Sequence, residues 1–549
     1  MTEVCGKKGL LDRRHFLKTS GAGLLASGYG CSLQGEGDTR NGSEASDFEL
    51  SEAGISQLQE AMETGRYTAL ELTRLYLKEI ESVDRSGPIL RSIIELNPDA
   101  EEIARELDDE RRDRGARGPL HGIPVVLKDN IATKDRMMTT AGSLALEGVT
   151  ARRDAFLVDR LRAAGAVILG KANLSEWANF RSRHSSSGWS ARGGQCRNPY
   201  VLDRNPCGSS SGSAVAVSAS LCAAAVGTET NGSIACPSNV NGIVGVKPTV
   251  GLISRSGIIP ISKTQDTAGP MCRTIRDAAL LLSALVGVDP SDPATEAAGG
   301  HLSSDYTQFL DPDGLKGARI GVLRQFFGFH RDVDALMEQA LGELRRLGAE
   351  LVDEPDLRLR QGMGGPSYQV LLYEFAQGVR DYLVEWAPDA EVRTLEDLIA
   401  FNERHQESEM PYFGQDIFLE ALELEKDPQG STEYQKALEL SRRLSREEGI
   451  DRLMAHYHLD ALVGPSGGPA WLTDLVNGDN SSGGSGGAAA IAGYPHITVP
   501  MGSIRGLPVG LSFLGRAWSE PELFRFAYAF EQATRARSAP AFLPTLELA

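Results

Sequence analysis

The feature that most constrains this chain is a recurring exchange of short apolar runs with amphipathic helical segments. Ile123-Pro124-Val125-Val126-Leu127 is a buried-strand pattern bounded by glycine, and it delivers Lys128 to the strand's end. DAFLVDRLRAAG then reads as helix and AVILG as strand. The exchange returns at ARIGVLR, DVDALMEQALGELRRLG and AELVDE, and again at DALVGP, HITVPM, PVGLSFLG and the helix PELFRFAYAFEQAT. Apolar strands alternating with helices predict an α/β fold, a large, mostly parallel or mixed sheet covered by helices on both faces. Two helices open it: Ile55, Leu58 and Met62 share a face, and Thr68-Ala69-Leu70-Glu71 is a capping box that starts a second helix.

Residues 357–457 break the exchange, being charged and helix-like without a clear strand, and predict a helical insertion beside a cleft. No repeat or composition break divides the rest, so 48–549 reads as a single domain. Ahead of it, Arg13-Arg14-His15-Phe16-Leu17-Lys18 and a mildly apolar stretch to Cys31 resemble a twin-arginine export signal, 1–31. This predicts an exported, periplasmic or otherwise extracytoplasmic protein. Anchoring through Cys31 is left open, because Gly28-Tyr29-Gly30 lacks the leucine of a lipid-attachment motif. Residues 32–47, rich in Gly, Ser, Glu, Asp and Asn, read as a disordered linker.

The net charge of −18 disfavours a nucleic-acid partner, since neutralising phosphates needs clustered Lys and Arg, and none occur beyond the first twenty residues. No later segment has the apolar length of a membrane span. The five cysteines beyond the linker (Cys196, Cys207, Cys222, Cys236, Cys272) have irregular spacing, which points to buried free thiols rather than a metal site or disulfide framework. Nothing supports a metal or organic cofactor.

Gly208-Ser209-Ser210-Ser211-Gly212 fits the G-x-S-x-G nucleophile elbow, which would make Ser210 the nucleophile of an esterase. An elbow needs a buried strand ahead of it, and RNPYVLDRNPC, with its prolines and asparagines, does not supply one. Gly464-Pro465-Ser466-Gly467-Gly468 also matches, so the pattern is cheap here, and His456, His458 and His496 carry no distinguishing context as partners.

The block CGSSSGSAVAVSASLCAAAVGTETNGSIACPSNVNGIVGVKPTVG, 207–251, has two serine-bearing glycine turns, at Ser209 and Ser233, flanking a helix-like Ala/Val segment. It resembles the amidase signature family. Upstream HGIPVVLKDN and GKANLSEWANF, and downstream SRSGIIPISKTQDTAGPM, AGYPHITVPMG and LPVGLSFLG, extend the resemblance over roughly 50–535. The family's catalytic set is a lysine, a serine with a cis peptide bond and a nucleophilic serine. These fall on Lys128, Ser209 and Ser233, with backbone amides of Thr230, Asn231, Gly232 and Ser233 as oxyanion hole. Asn231 departs from the glycine found in many members.

The chemistry agrees with the implied roles. A serine hydroxyl attacks only when a base takes its proton, and a lysine is such a base only when neutral, a state that burial favours. Ser209 can both accept and donate, and so relay the proton. Within the family, SEWANF, SGWSARGGQCRNPY, PCGSSSGSAVAV, GTETNGSIACPS and GPAWLTDLVNGD look most like the peptide amidase branch, which implies hydrolysis of a terminal carboxamide to carboxylate and ammonia, with Trp177, Trp189 and Trp471 as candidate cleft residues. Aryl or aliphatic amides, and the role of a glutamyl-tRNA amidotransferase A-like subunit, are the alternatives. The sequence leaves oligomeric state undecided.

Overall fold

A computed structural model describes residues 49–353, 355–357, 364–427 and 430–546. The export-signal and linker segments, and most of the boundary before residue 364, lie outside these residues. The chain's strands are β1 (Ile93–Leu96), β2 (Pro124–Lys128), β3 (Val167–Ala172), β4 (Trp189–Ser190), β5 (Gly194–Gln195), β6 (Ala224–Glu229), β7 (Val244–Lys247), β8 (Thr267–Cys272), β9 (Arg319–Val322), β10 (Glu350–Val352), β11 (Ala461–Pro465), β12 (His496–Ile504) and β13 (Leu507–Leu514). Eleven of them form one sheet in the order β1-β3-β2-β6-β8-β7-β12-β13-β11-β9-β10, and β4 and β5 make a separate ribbon.

The sheet is mixed, one of the two arrangements that the sequence pattern allows. β3, β2 and β6 run parallel at one end and β11, β9 and β10 at the other, while β6-β8-β7-β12-β13-β11 are joined antiparallel between them. Every residue of β2, β3, β6, β7, β8, β11 and β13 is buried, which is why these strands read as continuous apolar runs: both faces are covered. The helix Ile55–Glu63 buries Ile55, Leu58 and Met62. In the next helix, Ala69–Glu79, Thr68 accepts from the Glu71 amide while the Glu71 side chain accepts from the Thr68 amide, closing the capping box.

The Ala/Val segment corrects the expectation of a single helix. Ser211–Ser218 is helical, with all eight residues buried; the chain then turns through Ser220, at φ 56°, and enters the sheet as β6. Small residues here permit close approach. A Cβ on Gly212 would stand 2.2 Å from the Ser92 carbonyl oxygen and 2.5 Å from that of Asn173, so only glycine fits. The stretch 364–456 holds six α-helices and no strand among the described residues. It is tied to the sheet-bearing part by buried polar contacts. Glu374 accepts from the hydroxyls of Ser262 and Thr264, and Glu409 accepts from the Ser143 hydroxyl and the Leu144 amide.

Candidate active site

β2 and β6 are parallel neighbours, so their C-terminal ends lie side by side, and the site is built on those ends. β2 ends in Lys128, which is completely buried. Its Nζ donates to Ser209 Oγ at 2.7 Å, to Thr228 Oγ1 at 2.8 Å and to the Thr228 carbonyl at 3.2 Å. Among the described residues no carboxylate forms an ion pair with it. Burial therefore dominates and pushes its pKa down to about 7, with the more distant charges of Asp266 and Glu229 pulling the other way. Thr228 is itself held by Asn130, whose Nδ2 donates to Thr228 Oγ1 at 3.0 Å.

Ser209 follows a cis peptide bond after Gly208 and is buried. Its carbonyl accepts from the Ser175 amide at 3.1 Å, and Ser175 Oγ accepts from the Gly188 amide. The SEWANF segment thus braces the turn from behind. Ser210 does something different. Its Oγ donates to the Thr228 carbonyl at 3.0 Å and accepts from the Thr228 amide at 3.2 Å, and no strand precedes Gly208. That removes both requirements of a nucleophile elbow. Among the histidines weighed as partners, His456 and His458 are exposed, and His496 is buried with Nε2 on Ser512 Oγ at 2.7 Å.

The second turn leaves β6 at Glu229. Its start is fixed by Thr230 Oγ1, which donates to Asp266, while Asp266 also accepts from the Ile261 and Ser262 amides, each at 2.8 Å. Burial raises the Asp266 carboxyl to about 6 against these hydrogen bonds. Its end is fixed by Glu229, which accepts from the amides of Ile234 and Ala235 at 2.8 and 3.0 Å. Between them Gly232 takes φ 83°, which favours glycine, and nothing lies within 4 Å of where its Cβ would be. Among the described residues the amides of Thr230, Asn231, Gly232 and Ser233 donate to no protein acceptor. The two serine turns meet where the Ser210 amide donates to the Ser233 carbonyl at 3.1 Å.

Asn231 and Gly232 line a cavity of ≈ 370 Å³ together with residues of the glycine- and serine-rich loop 466–487, Trp471 among them. No Asp, Glu, Lys or Arg lines it. Its one titratable ring, His496, is held down to about 4 by burial and stays neutral at pH 7. Of the three tryptophans expected near a cleft, Trp471 lines this cavity. Trp177 packs edge-on against Phe418, and Trp189 sits edge-on to Tyr412 and Phe413, both tryptophans being buried.

The cysteine expectation is overturned at one pair: Cys207 and Cys236 form a disulfide, with Cα atoms 6.0 Å apart. Irregular spacing conceals it because the fold, not the chain, brings the two turns together. Cys196, Cys222 and Cys272 are buried free thiols. Sequence reasoning also misses Thr228, Asn130 and Asp266 as parts of the site. Thr228 has a signal, standing at the start of the GTETNGSI turn between Lys128's strand and Ser233.

The family described as Amidase matches residues 71–524. The chain is 44% identical over 510 residues to a probable amidase of Arabidopsis thaliana, covering 91% of this chain and 93% of that one. It is 36% identical over 502 residues to a glutamyl-tRNA(Gln) amidotransferase subunit from Halorhodospira halophila, covering 87% and 97%. The structure resembles that of native peptide amidase from Stenotrophomonas maltophilia with a TM-score of 0.85 and 52% identity, over 90% of this chain and 99% of that one.

Proposed function

This chain is a member of the amidase signature family, an enzyme hydrolysing amide C–N bonds, and we propose that its substrates are C-terminally amidated peptides, cleaved to carboxylate and ammonia through an acyl-enzyme on Ser233. The observation that carries the catalytic reading is the contact of a buried lysine with a buried serine, Lys128 Nζ to Ser209 Oγ at 2.7 Å, with no carboxylate among the described residues in an ion pair with the lysine. A neutral Lys128 takes the Ser209 proton as Ser209 takes that of Ser233, and Ser233 Oγ attacks the carboxamide carbon. The carbonyl oxygen gains charge as the new C–O bond forms, and the free amides of 230–233 supply donors for it. Return of the proton through Ser209 to the departing nitrogen breaks the C–N bond and releases ammonia. Water then attacks the ester by the same proton path.

The cavity beside the 231–232 turn supports a peptide-like substrate. Backbone amides and carbonyls are polar and uncharged, and so is its lining, whereas a free amino acid such as glutamine brings an ammonium and a carboxylate that would be desolvated there without partners. The 52% identity to a peptide amidase supports the same choice. Extracytoplasmic residence, proposed from the export-like N-terminus, is supported by the Cys207–Cys236 bridge, since disulfides persist in oxidising compartments.

The test is ammonia release from amidated dipeptides, free amino-acid amides, glutamine, aryl amides and aliphatic amides, by wild type and by Ser233→Ala. Amidated peptides are expected to give the highest kcat/KM, and Ser233→Ala to abolish turnover with the fold intact. Faster turnover of aryl or aliphatic amides would transfer the substrate assignment to them, and an active Ser233→Ala enzyme would remove the nucleophile.

A further inference from the structure

We infer that the Cys207–Cys236 disulfide is a positioning element of the catalytic site, holding the Ser209 turn against the Ser233 turn, so that its reduction slows acyl transfer. The inference rests on the serine-lysine reading above. Cys207 stands two residues before Ser209 and Cys236 three after Ser233, so the bridge spans both reacting serines from outside.

Each half-cystine is wired into its own turn. The Cys236 amide donates to the Gly232 carbonyl at 2.8 Å, so displacing Cys236 displaces the residue at the centre of the oxyanion turn. The Cys207 carbonyl accepts from Ser211 Oγ at 2.6 Å, and its amide donates to Asn205 Oδ1 at 2.8 Å. Cys207 also holds φ 55°, a left-handed conformation unfavourable for a residue with a side chain, which the bridge and Asn205 maintain. Apart from the bridge, the turns are joined by hydrogen bonds: the Ser210 amide donates to the Ser233 carbonyl, Ser210 Oγ pairs with the Thr228 carbonyl and amide, and Asn241 Nδ2 donates to the Pro206 carbonyl. These hold the inner sides of the turns, while the covalent bridge fixes the separation of their outer ends.

The bridge is also reachable. Cys236 lines the ≈ 370 Å³ cavity, whereas Cys196, Cys222 and Cys272 are fully buried. A small dithiol entering the cavity can attack the Cys236 sulfur as thiolate, which releases the Cys207 thiolate and leaves Cys236 in a mixed disulfide with the reagent. The reagent's second thiol then displaces Cys236, so the protein disulfide gains two electrons and two protons, and the dithiol closes to its cyclic disulfide. Once the bridge is lost, the serines need move little: misplacement by about 1 Å costs on the order of 100-fold in rate.

The experiment compares oxidised enzyme, dithiothreitol-reduced enzyme, re-oxidised enzyme and Cys207→Ala/Cys236→Ala, measuring kcat and KM on an amidated dipeptide with circular dichroism and mass-mapped alkylation on the same samples. Reduction should expose two alkylatable cysteines, 207 and 236. It should lower kcat at least about tenfold with KM changed less than about threefold, at unchanged circular dichroism. Re-oxidation should restore kcat, and the double variant should start at the reduced level and ignore dithiothreitol. The inference is overturned if the reduced enzyme, or the folded double variant, keeps kcat within about twofold of the oxidised form, or if activity falls only in step with loss of the circular-dichroism signal. Should the double variant not fold, the reversible reduction of wild type decides. Failure of oxidised wild type to release ammonia from any amide would instead overturn the amidase-site reading on which the inference stands.

Discussion

The proton path makes the pH at which the enzyme becomes active a measure of how deeply Lys128 is desolvated. With a pKa of about 7, Lys128 is neutral in about half of the molecules at pH 7, in about 1 in 100 at pH 5 and in nearly all above pH 9. A lysine at its ordinary 10.5 would be neutral in only about 3 in 10,000 molecules at pH 7. The two cases predict different curves. For the buried lysine, kcat/KM for an amidated dipeptide should rise about fiftyfold from pH 5 to pH 7 and then level off near pH 8. An unperturbed lysine would give about tenfold per pH unit through pH 10.

Changing the surroundings tests the cause as well as the value. Of the two carboxylates that raise the Lys128 pKa, Asp266 contributes more than Glu229, and it is mostly ionised above its own pKa of about 6. Asp266→Asn removes that charge while keeping one oxygen to accept from the Ile261 and Ser262 amides, with its NH2 turned to donate to Thr230 Oγ1, so burial acts less opposed and the activity limb moves to lower pH. The assay is continuous ammonia detection from pH 5 to pH 10, with enzyme returned to pH 7 to verify survival. A limb that climbs steadily to pH 10, or that moves to higher pH in Asp266→Asn, would refute the neutral-lysine argument.

Two neighbouring serines should part company under substitution. Ser209→Ala removes the relay and is expected to lower kcat about 100- to 10,000-fold with the fold retained. Ser210→Ala strips the Thr228 amide of its acceptor and is expected to cost about 1–3 kcal/mol of stability, read by urea unfolding, with far less loss of kcat. A third substitution probes the frame. Arg181 is wholly buried between Glu176 and Glu409 and under the Phe413 ring at 4.4 Å. Arg181→Met leaves two buried carboxylates without a cation, so a loss of about 3–5 kcal/mol and a lowered thermal midpoint are expected; an unchanged midpoint would refute the need for the cation.

What the sequence reveals and what it hides follow from locality. Strand and helix periodicity is local, so β2, β3 and β9–β13 and their helices are readable, and Lys128 can be assigned to a strand end. Ala224–Val226 reads as the end of a helix, and Gly227–Glu229 as a turn, because alanine fits both a tight helix and a strand buried between β2 and β8; only the neighbours decide. The Ser209 and Ser233 turns are visible as motifs, yet their junction at the Ser210 amide and the Cys207–Cys236 bridge are not, since each joins residues more than twenty positions apart. Asp266 lies further still along the chain, reaching the site through Thr230.

The order of the sheet bears on how copies of this chain meet one another. An open sheet of eleven strands ends in two edges, where unpaired backbone invites another chain to add a strand. Here the terminal strands are the four-residue β1 and the three-residue β10, carrying Glu95 paired with Arg192 and Glu350 paired with Arg319. So short and charged a border offers too few amides in register to template an intermolecular ladder. The chain can therefore carry a wide, strongly apolar sheet without its margins becoming a route to aggregation.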